Sequence, residues 1–321
     1  MVRLAALIAA FAVSSRAQIT YEGNLWVGCA NSSSNWLIST SGGGDPTTHQ
    51  VTVITNLYRG VVGVEVDHAN EQVYMAGGNY QTICRANYDG SGLVMLGSVS
   101  STNYPGGGGP FGERLDFALD VTGARIFYTT GGAGKSVCVG NLDGTGISRP
   151  PMFAMGERLN GIEYNPLNDK IYFASLDSGI YVANADGSGT PSLLFSGSEY
   201  RQLTLDPAAG MIYWTDWSGY NILNGPMAGG SATAVFSGLT GRPYGIDLDP
   251  ANGTLYWTEV FGGTVFSGST NGTGKTQVGS GLDIRSVAFI GVPEPSAGIL
   301  AGIVSLGAWL MRRRIVRADR P

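Results

Sequence analysis

The sequence is poor in the residues on which most catalytic and metal sites depend. It has two histidines, three cysteines and only 13% charged residues in 321. The cysteines, Cys29, Cys84 and Cys138, are odd in number and lack C-x-x-C spacing, so neither a zinc site nor a complete disulfide framework is predicted. No nucleophile-elbow sequence is present, which argues against nucleophilic hydrolysis. The net charge of −5 argues against a nucleic-acid partner.

Long amphipathic helices are also missing from the pattern. No long stretch carries apolar residues at helical spacing, whereas tyrosine, tryptophan and β-branched residues occur throughout, together with 50 glycines. This composition is typical of many short strands joined by glycine-rich turns. The sequence therefore predicts an all-β fold.

One layout is repeated five times along the chain: a short apolar strand, a tight turn, a second strand and a third strand that ends at a glycine turn. The aromatic residue of the second strand falls at Tyr74, Phe127, Tyr172, Tyr213 and Tyr256, at spacings of 53, 45, 41 and 43 residues. The longest spacing contains an insertion at 97–113. The remaining unit of roughly 42 residues has the length of a four-stranded propeller blade.

The two ends of the repeat region complete each other. A sixth innermost strand at 285–291 has no partners of its own, while 24–29, 35–40 and 49–54 supply three strands without an innermost one. Together they make one blade. The sequence thus predicts a six-bladed β-propeller of four-stranded blades, closed by the three N-terminal strands and the C-terminal strand, which removes exposed sheet edges.

Two repeats carry a family signature. The segments IYWTDW (212–217) and LYWTE (255–259), with RANYDGSG (85–92), resemble the YWTD repeats of low-density-lipoprotein-receptor-type six-bladed propellers. The other second strands, VYMAG, IFYTT and IYFAS, depart from the motif, and only Asp216 and Glu259 keep its acidic position. The resemblance covers 18–291 and implies the fold, but not a receptor's ligand.

Three carboxylates are candidates for a site at the centre of the ring. Glu65, Glu163 and Asp247 share one register of the innermost strands in alternate blades, where several acids could hold a divalent cation. Six-bladed lactonases place a metal there. Ion pairing within the fold is the favoured interpretation, because arginines recur near the starts of these strands, at Arg114, Arg158, Arg201, Arg242 and Arg285. No cofactor is predicted.

The aromatic residues divide into two groups. Trp214 and Trp257 occupy matching repeat positions, which predicts packing between blades. A second group is predicted to lie in loops, where the rings could bind a sugar or a peptide, and consists of Tyr104, Trp217, Tyr220 and Tyr244.

The first 17 residues resemble a secretory signal peptide, with the basic Arg3, an apolar run from Leu4 to Val13 and small residues at the exit. Export through the Sec pathway is therefore predicted.

The C-terminal segment, 292–321, combines three features in a fixed order. Pro293, Glu294 and Pro295 are followed by the uncharged stretch 297–311 and by Arg312, Arg313 and Arg314. A helix over that stretch would measure about 22 Å, short of a hydrocarbon core of about 30 Å. The order resembles the PEP-CTERM sorting signal of Gram-negative bacteria, apart from the extension IVRADRP. The resemblance implies recognition by an exosortase, a transient stay in the inner membrane, and delivery to the cell surface or extracellular matrix.

The sequence therefore predicts three parts: a signal peptide (1–17), a propeller (18–291) and a sorting segment with a short transmembrane helix (292–321). The favoured function is a non-catalytic binding module for an unknown extracellular polysaccharide or protein. The alternative is a secreted metal-dependent hydrolase or lactonase that uses the acids at the channel.

Overall fold

The computed structural model describes residues 24–29, 35–39, 50–54, 61–77, 82–88, 90–98, 116–130, 135–147, 151–280 and 284–290. Within these ranges, no helix is long and apolar enough to cross a membrane. The predicted signal peptide and sorting segment, including Pro293–Pro295 and Arg312–Arg314, lie outside the described residues, as do Tyr104 and Arg114.

The described residues form antiparallel four-stranded sheets, so the predicted all-β class is confirmed. Five sheets each consist of four consecutive strands. The first two contain β4 (Val61–Asp67), β5 (Gln72–Gly77), β6 (Thr82–Asn87) and β7 (Val94–Ser98), then β8 (Phe117–Asp120), β9 (Arg125–Thr130), β10 (Ser136–Asn141) and β11 (Phe153–Ala154). The third contains β12 (Leu159–Asn165), β13 (Lys170–Ser175), β14 (Gly179–Asn184) and β15 (Ser192–Ser196). The last two contain β16 (Tyr200–Asp206), β17 (Met211–Asp216), β18 (Asn221–Pro226) and β19 (Thr233–Phe236), then β20 (Arg242–Asp249), β21 (Thr254–Val260), β22 (Thr264–Ser269) and β23 (Thr276–Ser280).

One further sheet joins the two ends of the described chain. It contains β24 (Ile284–Ile290), β1 (Asn24–Cys29), β2 (Asn35–Ser39) and β3 (Gln50–Ile54), in that order. Asn24 pairs with Ile290, and Trp26 pairs with Ala288. This is the strand composition predicted for the closing sheet. The innermost strands contact one another in the order β4, β8, β12, β16, β20 and β24, and β24 contacts β4.

The hydrophobic core lies between neighbouring sheets. Trp214 packs its ring 4.8 Å from that of Phe195 in the preceding sheet, and Trp257 does the same with Phe236. The predicted packing role of the two tryptophans is thus confirmed. Glycines make room for these phenylalanines, because a Cβ added at Gly225 would overlap the ring of Phe195 and one at Gly268 would overlap that of Phe236.

The threonine of the repeated motif connects each of three sheets to the next. The register of β16 shifts between Tyr200 and Leu203, as in a β-bulge, and within this irregularity the Gln202 N–H donates to Thr215 Oγ1 at 3.1 Å. The Thr215 hydroxyl donates in turn to the Tyr244 carbonyl oxygen in the next sheet at 2.8 Å. Thr129 and Thr258 make corresponding contacts to the Asn160 and Arg285 carbonyl oxygens. The motif threonine therefore accepts a hydrogen bond from an amide of its own sheet and donates one to a carbonyl of the next sheet.

Candidate functional site

The three predicted acids share one register and face the ring axis. Each pairs with the aromatic residue of the second strand: Glu65 with Tyr74, Glu163 with Tyr172, and Asp247 with Tyr256. Because side chains alternate across a strand, equal register places them on the same face. All three are half-buried. The three intervening innermost strands carry Ala118, Thr204 and Ala288 in that register.

These carboxyls repel one another in a low-dielectric setting. Burial, followed by the charges of Glu163, Asp247 and Asp116, raises the pKa of Glu65 well above its usual value. Burial and the charges of Asp247 and Asp116 do the same for the pKa of Glu163. Burial also raises the pKa of Asp116 to about 7 and that of Asp247 to about 6. The cluster therefore holds its protons to a higher pH than isolated carboxyls do.

Sequence reasoning missed Asp116 as the fourth member of this cluster. Its place two residues before Ala118 was the available signal, because residues two apart lie on one face of a strand. Its Oδ2 accepts the Ile162 N–H at 3.2 Å, across to the neighbouring sheet.

The predicted ion pairing of the acids with the arginines is wrong for the described residues. Asp247 instead accepts the Leu248 N–H at 2.7 Å, the Phe289 N–H at 2.6 Å and the Thr204 hydroxyl at 3.2 Å. None of the described salt bridges involves a channel acid. Arg158, Arg201 and Arg242 instead contact Asp177, Glu199 and Tyr220, respectively, at one end of the ring.

A metal ion at the channel would need several of these acids to converge on one point. Within the described ranges, no three histidine, cysteine or carboxylate side chains lie close enough together to hold a metal ion. The acids face one channel from different sheets and are near enough to repel, but they do not converge as ligands.

A second cluster lies at the end of the ring where the innermost strands begin. We call it the arginine–aromatic face and define it by Arg201, Trp217, Tyr220, Arg242, Tyr244 and Phe261. The Trp217 ring has the Arg201 guanidinium 4.6 Å and the Arg242 guanidinium 5.3 Å from its centroid, which are cation–π distances. The rings of Tyr244 and Phe261 each lie 5.9 Å from that of Trp217.

The structure places the predicted loop aromatics differently from one another. Trp217 and Tyr220 lie half-buried in the turn after β17, as predicted. The prediction for Tyr244 is wrong, because this residue belongs to β20 and is 1% exposed. Phe261 was missed, although it is 85% exposed in the turn after β21. The adjacent Gly-Gly pair indicated a turn there, but not an exposed ring.

Comparison with solved structures identifies the architecture. A chain of a nidogen/laminin complex superposes with a TM-score of 0.70 at 17% identity, covering 83% of this chain and 98% of that one. TolB from Acinetobacter baumannii gives 0.61 at 14% identity, covering 84% and 67%. The chain folds as a β-propeller. A calcium-binding protein, regucalcin, from Agrobacterium tumefaciens gives 0.53 at 14% identity, covering 70% and 76%. No family model matches, and these identities establish the propeller fold alone.

The arginines at this end of the propeller, two from the arginine–aromatic face and Arg158 outside it, differ in how their charge is balanced. Arg158 donates to Asp177 through Nε at 2.9 Å and NH2 at 2.6 Å, and Arg201 pairs with Glu199. Arg242 donates its Nε to the Tyr220 hydroxyl at 3.1 Å. No carboxylate among the described residues forms a salt bridge with it.

Proposed function

We propose that this protein is an exported, non-catalytic binding module that displays a six-bladed propeller at the surface or in the extracellular matrix of a Gram-negative bacterium. The cyclic contacts of the innermost strands, together with the sheet of β24, β1, β2 and β3, support the count of six blades. The signal-like N-terminus supports export. The arrangement of Pro293–Pro295 and Arg312–Arg314 supports sorting by an exosortase, with a transient stay in the inner membrane.

The observation that carries the binding function is the arginine–aromatic face. It combines a phenylalanine that is 85% exposed with a half-buried tryptophan that has two guanidiniums within cation–π distance of its ring. Exposed aromatics next to arginine are typical of recognition surfaces. A module of this kind requires no reacting group, since rings and guanidiniums bind a ligand without changing it.

Two measurements test the proposal. Intact mass and cell fractionation of the protein from its own host should find it outside the inner membrane, without the sorting segment. The purified protein should be retained by specific components of an array of polysaccharides and peptides, and Trp217→Ala together with Phe261→Ala should abolish that retention. An intact C-terminus in the inner membrane would contradict sorting, and an array without retention would contradict binding.

The alternative function is a metal-dependent hydrolase or lactonase at Glu65, Glu163 and Asp247. The raised pKa values of these acids favour it, because perturbed carboxyls are common in active sites. The absence of converging ligands in the described channel places it second. Elemental analysis decides between the two functions: a stoichiometric divalent ion that is lost in Glu163→Ala would favour the hydrolase.

A further inference from the structure

Two arginines occupy matching positions in different blades. In the fifth sheet, Arg242 of β20 pairs with Val260 of β21, and Pro243 pairs with Glu259. In the third sheet, Leu159 lies opposite Ser175, which places Arg158 opposite Leu176. Arg158 and Arg242 therefore start their innermost strands in the same way, and their surroundings can be compared directly.

The residue that neutralises Arg158 has no acidic counterpart beside Arg242. Asp177, which follows Leu176, accepts the Arg158 N–H at 2.7 Å as well as two guanidinium bonds. The residue directly after Val260 is Phe261, in a turn that is one residue longer than that of Asp177, since four residues separate Glu259 from Thr264 and three separate Ser175 from Gly179. An exposed aromatic ring thus follows Val260 where a carboxylate follows Leu176, and among the described residues no carboxylate balances the charge of Arg242.

The backbone at Phe261 is also unfavourable for its side chain. Its φ of +70° lies in the left-handed region, which is a rare and strained conformation for a bulky residue. Folding alone does not explain an exposed phenylalanine there, because burial of the ring does not compensate for the strain. Nearby, Arg201 pairs with Glu199, but its Nε is buried without a hydrogen-bond acceptor among the described residues.

The turns at this end present side chains rather than free backbone groups. Their amides are paired: Leu176 N–H donates to the Arg158 carbonyl oxygen within one blade, and Trp217 N–H donates to that of Glu199 within the next. Glu199 N–H donates across to the Leu176 carbonyl oxygen of the preceding blade. A peptide that binds by adding a strand needs unpaired amides at a sheet edge. A sugar polymer instead requires flat rings for its pyranose faces and, if acidic, guanidiniums that match carboxylates with two bonds.

We propose that the arginine–aromatic face binds an acidic polysaccharide, with uronate carboxylates on Arg242 and sugar rings on Phe261 and Trp217. This proposal rests on the binding function proposed above and names its ligand class. Charge complementarity supplies the specificity, because an uncharged sugar would leave the guanidinium of Arg242 without an anion.

The experiment measures binding of the purified full chain to immobilised polygalacturonate, alginate, dextran and poly-glutamate. We expect retention on the first two polymers, weakened by added salt because screening reduces charge attraction. Arg242→Gln should weaken it about tenfold or more, as expected for loss of a charged hydrogen bond. Phe261→Asp should abolish it, because the substitution removes the ring and places a carboxylate in the face, which repels uronates. Aspartate tolerates the left-handed conformation better than phenylalanine, so this variant should fold at least as well.

Arg158→Gln is the matched control, since it removes an arginine in the same register whose charge is already balanced. It should leave binding to both acidic polymers unchanged. Equal binding to dextran and polygalacturonate, unaffected by Arg242→Gln, would overturn the uronate proposal but leave the binding function intact. Stronger retention on poly-glutamate would assign the face to an acidic peptide and overturn the proposal. Retention on none of the polymers would overturn it together with the specific binding face.

Discussion

Replacing Thr215 with valine tests how neighbouring blades are joined. Valine has nearly the shape of threonine but no hydroxyl, so the substitution removes hydrogen bonds without opening a cavity. Thr215 is completely buried. Its hydroxyl accepts the Gln202 N–H at 3.1 Å and donates to the Tyr244 carbonyl at 2.8 Å. The variant therefore leaves one amide and one carbonyl of two different innermost strands without this partner.

The expected loss of stability follows from these two backbone groups, the Gln202 amide and the Tyr244 carbonyl. A buried backbone group left without a partner costs about 1–3 kcal/mol. Allowing for relaxation at the bulge, we expect Thr215→Val to lower the free energy of unfolding by about 2–4 kcal/mol. Thr215→Ser is the control: it keeps both hydrogen bonds and loses one methyl group, at about 1 kcal/mol. At roughly 2–4 °C per kcal/mol, the valine variant should melt several degrees below the serine variant.

Thermal unfolding and amide hydrogen exchange measure this difference independently. Exchange at the Gln202 amide should accelerate in Thr215→Val and remain slow in Thr215→Ser, because only the valine variant removes its acceptor. If both variants melt together and the amide stays protected, the hydroxyl does not join the blades and the reasoning fails.

Three further predictions concern stability. Gly225→Ala should lower the free energy of unfolding by about 1–3 kcal/mol, and with it the melting temperature, because the new methyl group overlaps the Phe195 ring. Adding Phe195→Leu to the same chain should restore part of this lost stability. Glu259→Gln should cost about 2–4 kcal/mol in denaturant unfolding, since Glu259 is buried and accepts from the Lys275 ammonium at 2.7 Å. The pKa of Asp116 is raised to about 7 in the folded state, so its contribution to folding stability is fully present below about pH 4 and is lost as the pH rises to 7. The denaturant concentration at the unfolding midpoint should therefore fall from pH 5 to pH 8, and a rise over that range would contradict this.

The strands were predictable because their signals are local. Each repeat carries alternating apolar residues, turn residues and an aromatic at constant register, and the pairing of β24 with β1 followed from counting strands. The error at Tyr244 has a physical cause. The register between β20 and β21 shifts between Pro243 and Ile246, which interrupts the alternation, so the strand seemed to begin at Gly245 although pairing continues back to Arg242.

The arginine partners were not predictable because they come from turns that meet only in the folded ring. Sequence reasoning paired the arginines with acids of the innermost strands, since both recur in the same repeat. In the structure, Arg158 is paired with Asp177 of the turn after β13 and with Glu199 before β16. Nothing in the spacing distinguishes these acids from others in the turns, so the partners, and therefore the unbalanced Arg242, became visible only with the fold.

At one position of the YWTD-like motif, an acid from another segment takes the place of the acid of the motif. Ser175 stands where the YWTD motif has Asp216 and Glu259, yet Glu157 from the preceding loop brings its carboxylate to the Ser175 hydroxyl at 2.7 Å. Arg242 has no such substitute, because no described carboxylate forms a salt bridge with it. The turn beside it carries Phe261 instead, whose exposed ring and left-handed backbone are the pattern expected where local stability gives way to recognition.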